Sequence, residues 1–281
     1  MSLSKIKSYA KLNLALNVVG KNSSLHKIES IIVFVKLSDE IKIKKIKSKK
    51  HEISFYGKFS KNIGKKNTIS NLLNLLEKKK IIGKEKFKIM VNKKIPQKSG
   101  LGGGSMNAAN ILRYFVKKKI VKTNKHELIK ISKLIGSDVV LGLKPTNSIL
   151  TAKNTIKRFF NYKKFYTLIV MPNFGCSTKD IYKNVKRFSK PKFNKPSIKM
   201  FDMEYLYKQN NSLEKIVLSK HGKLKKIKSY LENLSQPFFV RMTGSGSALV
   251  AYFQSKKRCE TARRLFIKRY KNYWCIASKT I

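Results

Sequence analysis

The sequence predicts an α+β fold, in which strands and helices alternate without the regular order of a doubly wound sheet. Apolar side chains alternate at every second position over residues 6–19, which is typical of a β-strand. Apolar side chains recur at helical spacing over residues 67–80 and again after a glycine-rich run at residues 100–104. Segments of the two kinds follow one another irregularly, so we expect mixed layers rather than repeated βαβ units.

The first predicted strand has one apolar and one polar face. Its apolar face consists of Leu12, Leu14, Leu16 and Val18. Because alternate side chains of a strand point to the same side, Lys11 and Asn13 lie next to each other on the opposite face. We expect a half-buried strand whose polar face is either solvated or turned towards a site.

Further strands and helices follow before residue 150. A second strand is predicted over residues 29–46, and a strand of alternating apolar and Lys residues over 86–95. The helix at residues 67–80 has Asn67 or Thr68 available as its N-cap. The helix after the glycine run is expected to bury Ala108, Ile111, Leu112 and Phe115, and a further helix over 126–136 is expected to end at Gly136.

A change of pattern over residues 144–154 predicts a domain boundary, giving domains 1–150 and 151–281. Strand character resumes at residues 164–173, and two prolines make residues 187–201 an irregular connection. The chain then returns to a strand, a helix and a strand, predicted over 248–253, 256–270 and 273–281.

The formal net charge of +50 is extreme and is compatible with nucleic-acid binding. However, only eight of the 64 basic residues are Arg, the residue that base and phosphate readers favour. The Lys residues are spread along the whole chain together with abundant Ile and Asn. This distribution favours a compositional drift of surface positions over a specific nucleic-acid site.

Cysteines and hydropathy indicate the compartment. Cys176, Cys259 and Cys275 are odd in number and share no metal-ligand spacing, and the four His form no paired metal motif. Lys residues interrupt any apolar run near the N-terminus, and no apolar stretch approaches the roughly 20 residues of a membrane helix. We expect a soluble, cytoplasmic protein with reduced cysteines.

The glycine run precedes a helix, and this arrangement favours anion binding. The first N–H groups of a helix lack internal partners, and the helix dipole adds positive potential at that end. Gly100, Gly102, Gly103 and Gly104 occupy four of five positions, which is costly in chain entropy for a merely flexible turn. The run matches neither GxxxxGK[ST] nor GxGxxG, because no Lys-Ser or Lys-Thr follows and Ser105 replaces the final glycine.

“PQKSGLGGGSMNAA” (96–109) resembles the phosphate loop P-x-x-x-G-L-G-G-G-S-S-x-A-A of the GHMP small-molecule kinases. Four more stretches stand in the order and at the spacing found in this family: “YAKLNLALNVVG” (9–20), “LHKIES” (25–30), “IGSDVVLGL” (135–143) and “MTGSGSALVAYF” (242–253). They are most similar to the members that act on a cytidine-diphosphate-linked methylerythritol. Together they span nearly the whole chain, which is therefore identified as a member of the GHMP kinase family.

The resemblance implies a fold and an activity. The fold would have an N-terminal domain like domain 2 of ribosomal protein S5 and a ferredoxin-like C-terminal domain. The activity would be ATP-dependent phosphorylation of the 2-hydroxyl of the cytidylated methylerythritol, in non-mevalonate synthesis of isoprenoid precursors. The implied partners are this small molecule and ATP with Mg²⁺, with no specific nucleic acid and no membrane, in a monomer or homodimer.

The resemblance also assigns site residues. Lys11 and Asp138 would be the catalytic pair, with Asp138 as the base for the substrate hydroxyl and Lys11 stabilising charge. Asn13, His26 and Tyr182 would bind the cytosine, and Ser105 would meet Mg²⁺. ATP would be bound by the loop made of Pro96, Gln97, Lys98, Ser99, Gly100, Leu101, Gly102, Gly103, Gly104, Ser105 and Met106.

Two departures from the family pattern leave alternatives open. Leu25 replaces an aromatic residue before His26, and Met106 replaces a serine whose hydroxyl a thioether cannot imitate. A catalytically idle relative is therefore one alternative, although Lys11 and Asp138 are both present. The others are another GHMP kinase, of the homoserine or mevalonate type, and a basic nucleic-acid-binding protein.

Overall fold

The computed structural model describes residues 3–22, 25–160 and 164–281, and it has the predicted mixed α+β character. The strands within these ranges are β1 (Ser4–Lys21), β2 (His26–Ile46), β3 (Glu52–Tyr56), β4 (Lys86–Asn92), β5 (Asn147–Leu150), β6 (Ile156–Phe159), β7 (Tyr166–Met171), β8 (Phe239–Met242), β9 (Leu249–Phe253) and β10 (Trp274–Lys279). The helices are α1 (Thr68–Lys78), α2 (Gly103–Lys117), α3 (Lys125–Ile135), α4 (Val139–Gly142), α5 (Thr178–Lys183), α6 (Met203–Tyr207), α7 (Glu214–Lys220), α8 (Gly222–Glu232) and α9 (Lys256–Arg269), with a 3₁₀ turn at Ile198–Phe201.

The strands form two sheets. The larger has the order β3-β4-β2-β5-β6, with β1 paired to β2. In it, β3 runs parallel to β4, whereas the β2–β4, β2–β5 and β5–β6 pairs are antiparallel. The smaller sheet has the order β10-β7-β9-β8 and is antiparallel throughout.

The chain divides into two compact units, and each unit contains separate stretches of sequence. Unit 1 comprises the chain up to Ala10 together with Leu37–Gln97 and Gly102–Pro145. Unit 2 comprises Lys11–Lys36, Lys98–Leu101 and Thr146–Ile281. The units describe packing, and the division into domains 1–150 and 151–281 stays a prediction.

The core of unit 1 lies between its helices and β4. Ile69, Leu72, Leu73 and Leu76 of α1 are buried, as their spacing predicts, together with Ala108, Ile111, Leu112 and Phe115 of α2. Asn67, rather than Thr68, caps α1, because its side chain accepts from the N–H groups of Ile69 and Ser70. α3 ends at Ile135 with Gly136 as its C-cap, as expected.

The core of unit 2 is formed where its helices pack on the smaller sheet. α9 contacts β7, β9 and β10, and α8 contacts β8 and β9. The buried side chains include Leu168, Val170, Leu249, Ala251 and Phe266. The connection 187–201 is irregular as predicted, apart from its final 3₁₀ turn.

The part of β1 in unit 2 corrects the expectation of a half-buried strand. Both faces are buried between Lys11 and Val18, including the polar side chains of Lys11, Asn13 and Asn17, each about 4% exposed. Alternation in the sequence reveals that a strand has two faces, but it cannot show that other segments cover the polar one. Burial of a lysine and two asparagines requires partners for them.

All helices in the described ranges are short, and the longest, α2, has 15 residues. In this part of the chain, no helix has the length and apolar character required to cross a bilayer. Cys176 and Cys259 are free thiols, and both are buried.

Candidate active site

In unit 2, β1 holds Lys11 and Asn13 in a buried hydrogen-bonded cluster. Lys11 Nζ donates to Asn13 Oδ1 at 2.6 Å, and Asn13 Nδ2 donates to Ser30 Oγ at 2.8 Å. The backbone N–H of Asn13 donates to Thr243 Oγ1 at 3.0 Å. The two side chains that the sequence placed on one face are therefore adjacent, and their orientation is set by Ser30 and Thr243.

The first part of the glycine run packs against the late glycine-rich loop, residues 243–248, within the same unit. The carbonyl of Lys98 accepts from the N–H groups of Cys176 and Ser247, at 3.1 and 3.3 Å. The carbonyl of Ser99 accepts from Ala248 N–H at 3.1 Å. The carbonyl of Leu101 accepts from Lys11 N–H at 3.1 Å, so this segment also adjoins the lysine.

Gly100 occupies a position that no other residue fits. Its φ is +79°, and a Cβ there would lie 2.0 Å from the carbonyl oxygen of Thr243. On the facing loop, a Cβ on Gly244 would lie 3.3 Å from Lys11 Nζ. Glycine thus allows two backbones to approach each other beside the buried ammonium group.

In unit 1, the second part of the glycine run begins α2. Gly102 is the N-cap with φ +71°, and no side chain in the described ranges caps the helix. The first turn contains no acidic residue. Its N–H groups and the positive end of the helix dipole therefore suit a phosphate group.

A buried ion pair supports this loop. Asp39 is fully buried and pairs with the ammonium group of Lys93, while its Oδ1 accepts from the N–H groups of Lys94 and Ile95, each at 2.8 Å. Asn107 of α2 donates to Asp39 Oδ2 at 2.9 Å. One carboxylate thus ties the segment before the loop to the helix after it.

Other contacts fix the edges of the loop in unit 1. Pro96 is buried, and Gln97 Nε2 donates to the carbonyls of Phe59 and Lys61, at 3.0 and 2.7 Å. Thr68 Oγ1 donates to the carbonyl of Gly104 at 2.9 Å. The loop is therefore held at both ends by side chains that leave the first turn of α2 uncapped.

Asp138 is the N-cap residue of α4 in unit 1 and is half-buried. The turn that carries it adjoins α2, because a Cβ on Gly136 would lie 3.9 Å from Ser105 Oγ. Met106 is buried and points towards α4, where a Cβ on Gly142 would lie 3.0 Å from its sulfur. The N–H of Met106 donates to Gly102 within the helix, so Met106 acts here as packing.

His26 and Tyr182 are brought together in unit 2. Their ring centroids lie 5.0 Å apart at an interplanar angle of 38°. Partial burial and, to a smaller extent, the charge of Lys21 lower the pKa of His26 below its ordinary value. A neutral imidazole keeps one donor and one acceptor nitrogen, which suits hydrogen bonding to the edge of a base.

The groups around the start of α2 can be compared with what ATP and Mg²⁺ require. The uncapped turn of α2 and the glycine positions suit a polyphosphate. Within the described ranges, no group of three or more His, Cys, Asp and Glu side chains is placed to hold a metal ion. The hydroxyl of Ser105, in the first turn of α2, is an oxygen donor of the kind that would suit Mg²⁺.

Two pairs of predicted site residues lie together within unit 2. Lys11 and Asn13 meet, as do His26 and Tyr182. Lys11 belongs to unit 2 and Asp138 to unit 1, so their pairing stays a prediction. The carbonyl of Leu101 accepts from the backbone N–H of Lys11. The next residue along the chain, Gly102, is the N-cap of α2.

Sequence reasoning missed the supporting residues Ser30, Asp39 and Thr243. Ser30 and Thr243 stand inside stretches that the sequence had singled out, so a search there for hydroxyl partners of Asn13 could have found them. Asp39 carried no signal, because only the folded chain brings it to residues 93–95.

The chain is similar to known proteins in its sequence. The family described as GHMP kinases N terminal domain matches residues 67–144. A 4-diphosphocytidyl-2-C-methyl-D-erythritol kinase from Pelagibacter ubique is 55% identical over 281 residues, covering 100% of both chains. An enzyme of the same name from Buchnera aphidicola is 32% identical, covering 92% of this chain and 87% of the relative.

Solved structures agree at the level of the fold. A 4-(cytidine 5'-diphospho)-2C-methyl-D-erythritol kinase superposes with a TM-score of 0.79 at 21% identity, covering 99% of this chain and 100% of the other. The homoserine kinase from Cytophaga hutchinsonii superposes with a TM-score of 0.71 at 15% identity, covering 100% and 95%. With similarity over the full length of the Pelagibacter enzyme and over 87% of the Buchnera enzyme, and with the matching N-terminal domain, the chain belongs to the 4-diphosphocytidyl-2-C-methyl-D-erythritol kinase family of the GHMP kinases.

Proposed function

We propose that this chain transfers the γ-phosphoryl group of ATP to the 2-hydroxyl of 4-diphosphocytidyl-2-C-methyl-D-erythritol, in non-mevalonate isoprenoid precursor synthesis. The observation that carries the proposal is the 55% identity over the full length of the Pelagibacter enzyme. The buried Lys11–Asn13 cluster and the uncapped start of α2 support it, because phosphoryl transfer depends on positioning and charge neutralisation.

Asp138 and Lys11 have complementary roles in this proposal. Asp138 accepts the proton of the attacking hydroxyl, and Lys11 stabilises the negative charge that develops on the substrate oxygen. The burial of Lys11 supports its role, since charge interactions are stronger in a site that excludes water. Asn13 orients the ammonium group through its side-chain oxygen.

The loop of residues 96–106 binds the phosphates of ATP. Backbone N–H groups at the start of α2 meet phosphate oxygens, and Ser105 offers its hydroxyl to Mg²⁺. Bound Mg²⁺ would neutralise phosphate charge. Met106 contributes by packing against α4.

Asn13, His26 and Tyr182 bind the cytosine. Their proximity within unit 2 supports the assignment for His26 and Tyr182, whose rings are neighbours. Asn13 donates its amide to Ser30, which fixes the direction of its carbonyl oxygen towards Lys11. Asn13 therefore positions Lys11 as well as meeting substrate.

The proposal includes a cytoplasmic enzyme that acts as a monomer or homodimer on small molecules, without a specific nucleic-acid partner. Its N-terminal domain would end near residue 150, beyond the matched residues 67–144. The free thiols of Cys176 and Cys259 suit a reducing compartment.

The test measures ATP consumption by the purified protein with three alcohols: the cytidylated methylerythritol, homoserine and mevalonate. We expect ADP formation to depend on the cytidylated alcohol and on Mg²⁺. Turnover of homoserine or mevalonate in its place would instead assign the chain to another GHMP activity. Sequence-selective nucleic-acid binding that persists in moderate salt, without turnover, would also contradict the proposal.

A further inference from the structure

A third aromatic ring adjoins the His26–Tyr182 pair in unit 2. The ring centroid of Phe188 lies 6.3 Å from that of His26, at an interplanar angle of 56°. Phe188 is 50% exposed, although it belongs to a residue type that is normally buried. Two aromatic rings, those of Tyr182 and Phe188, thus lie next to the imidazole of His26.

The segment that carries Phe188 is anchored on both sides of the ring. Immediately after it, Ser189 N–H donates to the carbonyl of Val18 at 2.8 Å. Before it, Val185 N–H donates to the carbonyl of Tyr182 at 3.1 Å, which ties the segment to the end of α5. Phe188 is therefore exposed on a backbone that is held in place.

A buried glutamate secures the far end of the same segment. Glu29 is fully buried, and its carboxylate accepts from the N–H groups of Lys192 and Phe193, at 2.8 and 2.9 Å. Asn17 Nδ2 donates to the same carboxylate at 2.9 Å. Glu29 lies three residues after His26, so one short stretch of β2 positions both the imidazole and the segment that bears Phe188.

An exposed, anchored phenyl ring next to the imidazole of His26 suits a flat aromatic ligand. Base–aromatic stacking contributes about 1–3 kcal/mol per base, and it needs ring faces that are already in place. Leu25, which precedes His26 in the chain, is 71% exposed and offers no π-face. Phe188 can supply a second ring face next to His26.

We propose that Phe188 is a specificity-determining residue that forms a second aromatic wall, in addition to Tyr182, for the pyrimidine of the substrate. This inference rests on the proposed function, because it takes the ligand to be a cytidine diphosphate. Stacking on Phe188 contributes to binding of the base and leaves the phosphoryl-transfer groups unaffected.

The test compares Phe188→Ala with Phe188→Tyr, which keeps the ring, and with Tyr207→Ala, which removes a 68%-exposed aromatic on α6. Binding of cytidine diphosphate is measured by calorimetry with a non-hydrolysable ATP analogue filling the nucleotide site. Inorganic pyrophosphate serves as the second probe, because it reports the general attraction of anions to a chain of charge +50.

We expect Phe188→Ala to weaken cytidine diphosphate binding about 5- to 150-fold, corresponding to the stacking contribution, with pyrophosphate binding unchanged. The KM for the cytidylated alcohol should rise by a similar factor, while kcat and the KM for ATP stay constant. Phe188→Tyr and Tyr207→Ala should both resemble the wild type.

Equal binding of cytidine diphosphate by the wild type and Phe188→Ala would overturn the inference and leave the proposed function intact. Equal weakening by Phe188→Ala and Tyr207→Ala would also overturn it, since the effect would then be general. A wild type that does not bind cytidine diphosphate and does not phosphorylate the cytidylated alcohol would remove the proposed function, and this inference with it.

Discussion

Among single residues, Asp138 offers the sharpest test of the proposed chemistry. It is half-buried at the N-cap of α4 and makes no capping hydrogen bond through its side chain there. Asp138→Asn keeps the shape and removes the base, so we expect kcat to fall about 10²- to 10⁴-fold. Binding of a non-hydrolysable ATP analogue should change little, because the phosphates are assigned to the loop and to α2.

The matched control for this variant is Asp202→Asn, which changes an exposed aspartate in unit 2. Asp202→Asn also removes one negative charge, and it should keep full turnover. Steady-state kinetics and calorimetry on both proteins provide the measurement. If Asp138→Asn retained wild-type kcat, Asp138 could not be the base.

Gly100 gives a second prediction at the scale of a residue. Gly100→Ala places a Cβ 2.0 Å from the carbonyl oxygen of Thr243 at φ +79°, so the two loops must separate. The left-handed backbone alone costs an alanine about 1–2 kcal/mol, to which the clash adds. We expect a lower midpoint of thermal unfolding and a raised KM for ATP. Gly83→Ala, where a Cβ would meet nothing within 4 Å, should leave both values near those of the wild type.

At the scale of elements, local periodicity was enough to predict the main strands and helices. β1 shows the limit of prediction from periodicity. Leu12, Leu14 and Leu16 were enough to predict the strand. The burial of Lys11 and Asn13 could not be predicted, because it depends on contacts with Ser30 and Thr243 from distant segments. The glycine-rich loop before α2 could be located from the sequence, because a run of glycines is a local signal. The residues that hold this loop in place, such as Asp39, could not be predicted, because they reach it only through tertiary contacts.

The attachment of α2 to the segment before it gives the next prediction. Asp39 is fully buried and neutralises Lys93, which is also buried. Asp39→Asn would leave a buried ammonium group without its counter-charge, which typically costs about 3–5 kcal/mol. We expect the free energy of unfolding in urea to fall by about that amount, and ATP binding to weaken as the loop loosens.

The control for Asp39→Asn removes one partner of a solvent-exposed ion pair. Glu52 and Lys88 lie 2.9 Å apart with about half of each side chain exposed, so Glu52→Gln should change stability by about 1 kcal/mol or less. A similar loss of unfolding free energy in the two variants would mean that burial does not increase the contribution of the Asp39–Lys93 pair to stability.

The whole molecule carries a net charge of +50, and its proposed substrates are both anions. Because a positive field raises the rate of encounter with anions, we expect kcat/KM for the cytidylated alcohol to fall about tenfold or more as salt rises from about 10 to 200 mM. Screening acts on association, so kcat at saturation should stay nearly constant and serves as the internal control. Stopped-time assays of product formation over this range provide the measurement. A kcat/KM that does not change with salt would assign the charge to surface composition alone, because the field would then give no advantage in capturing substrate.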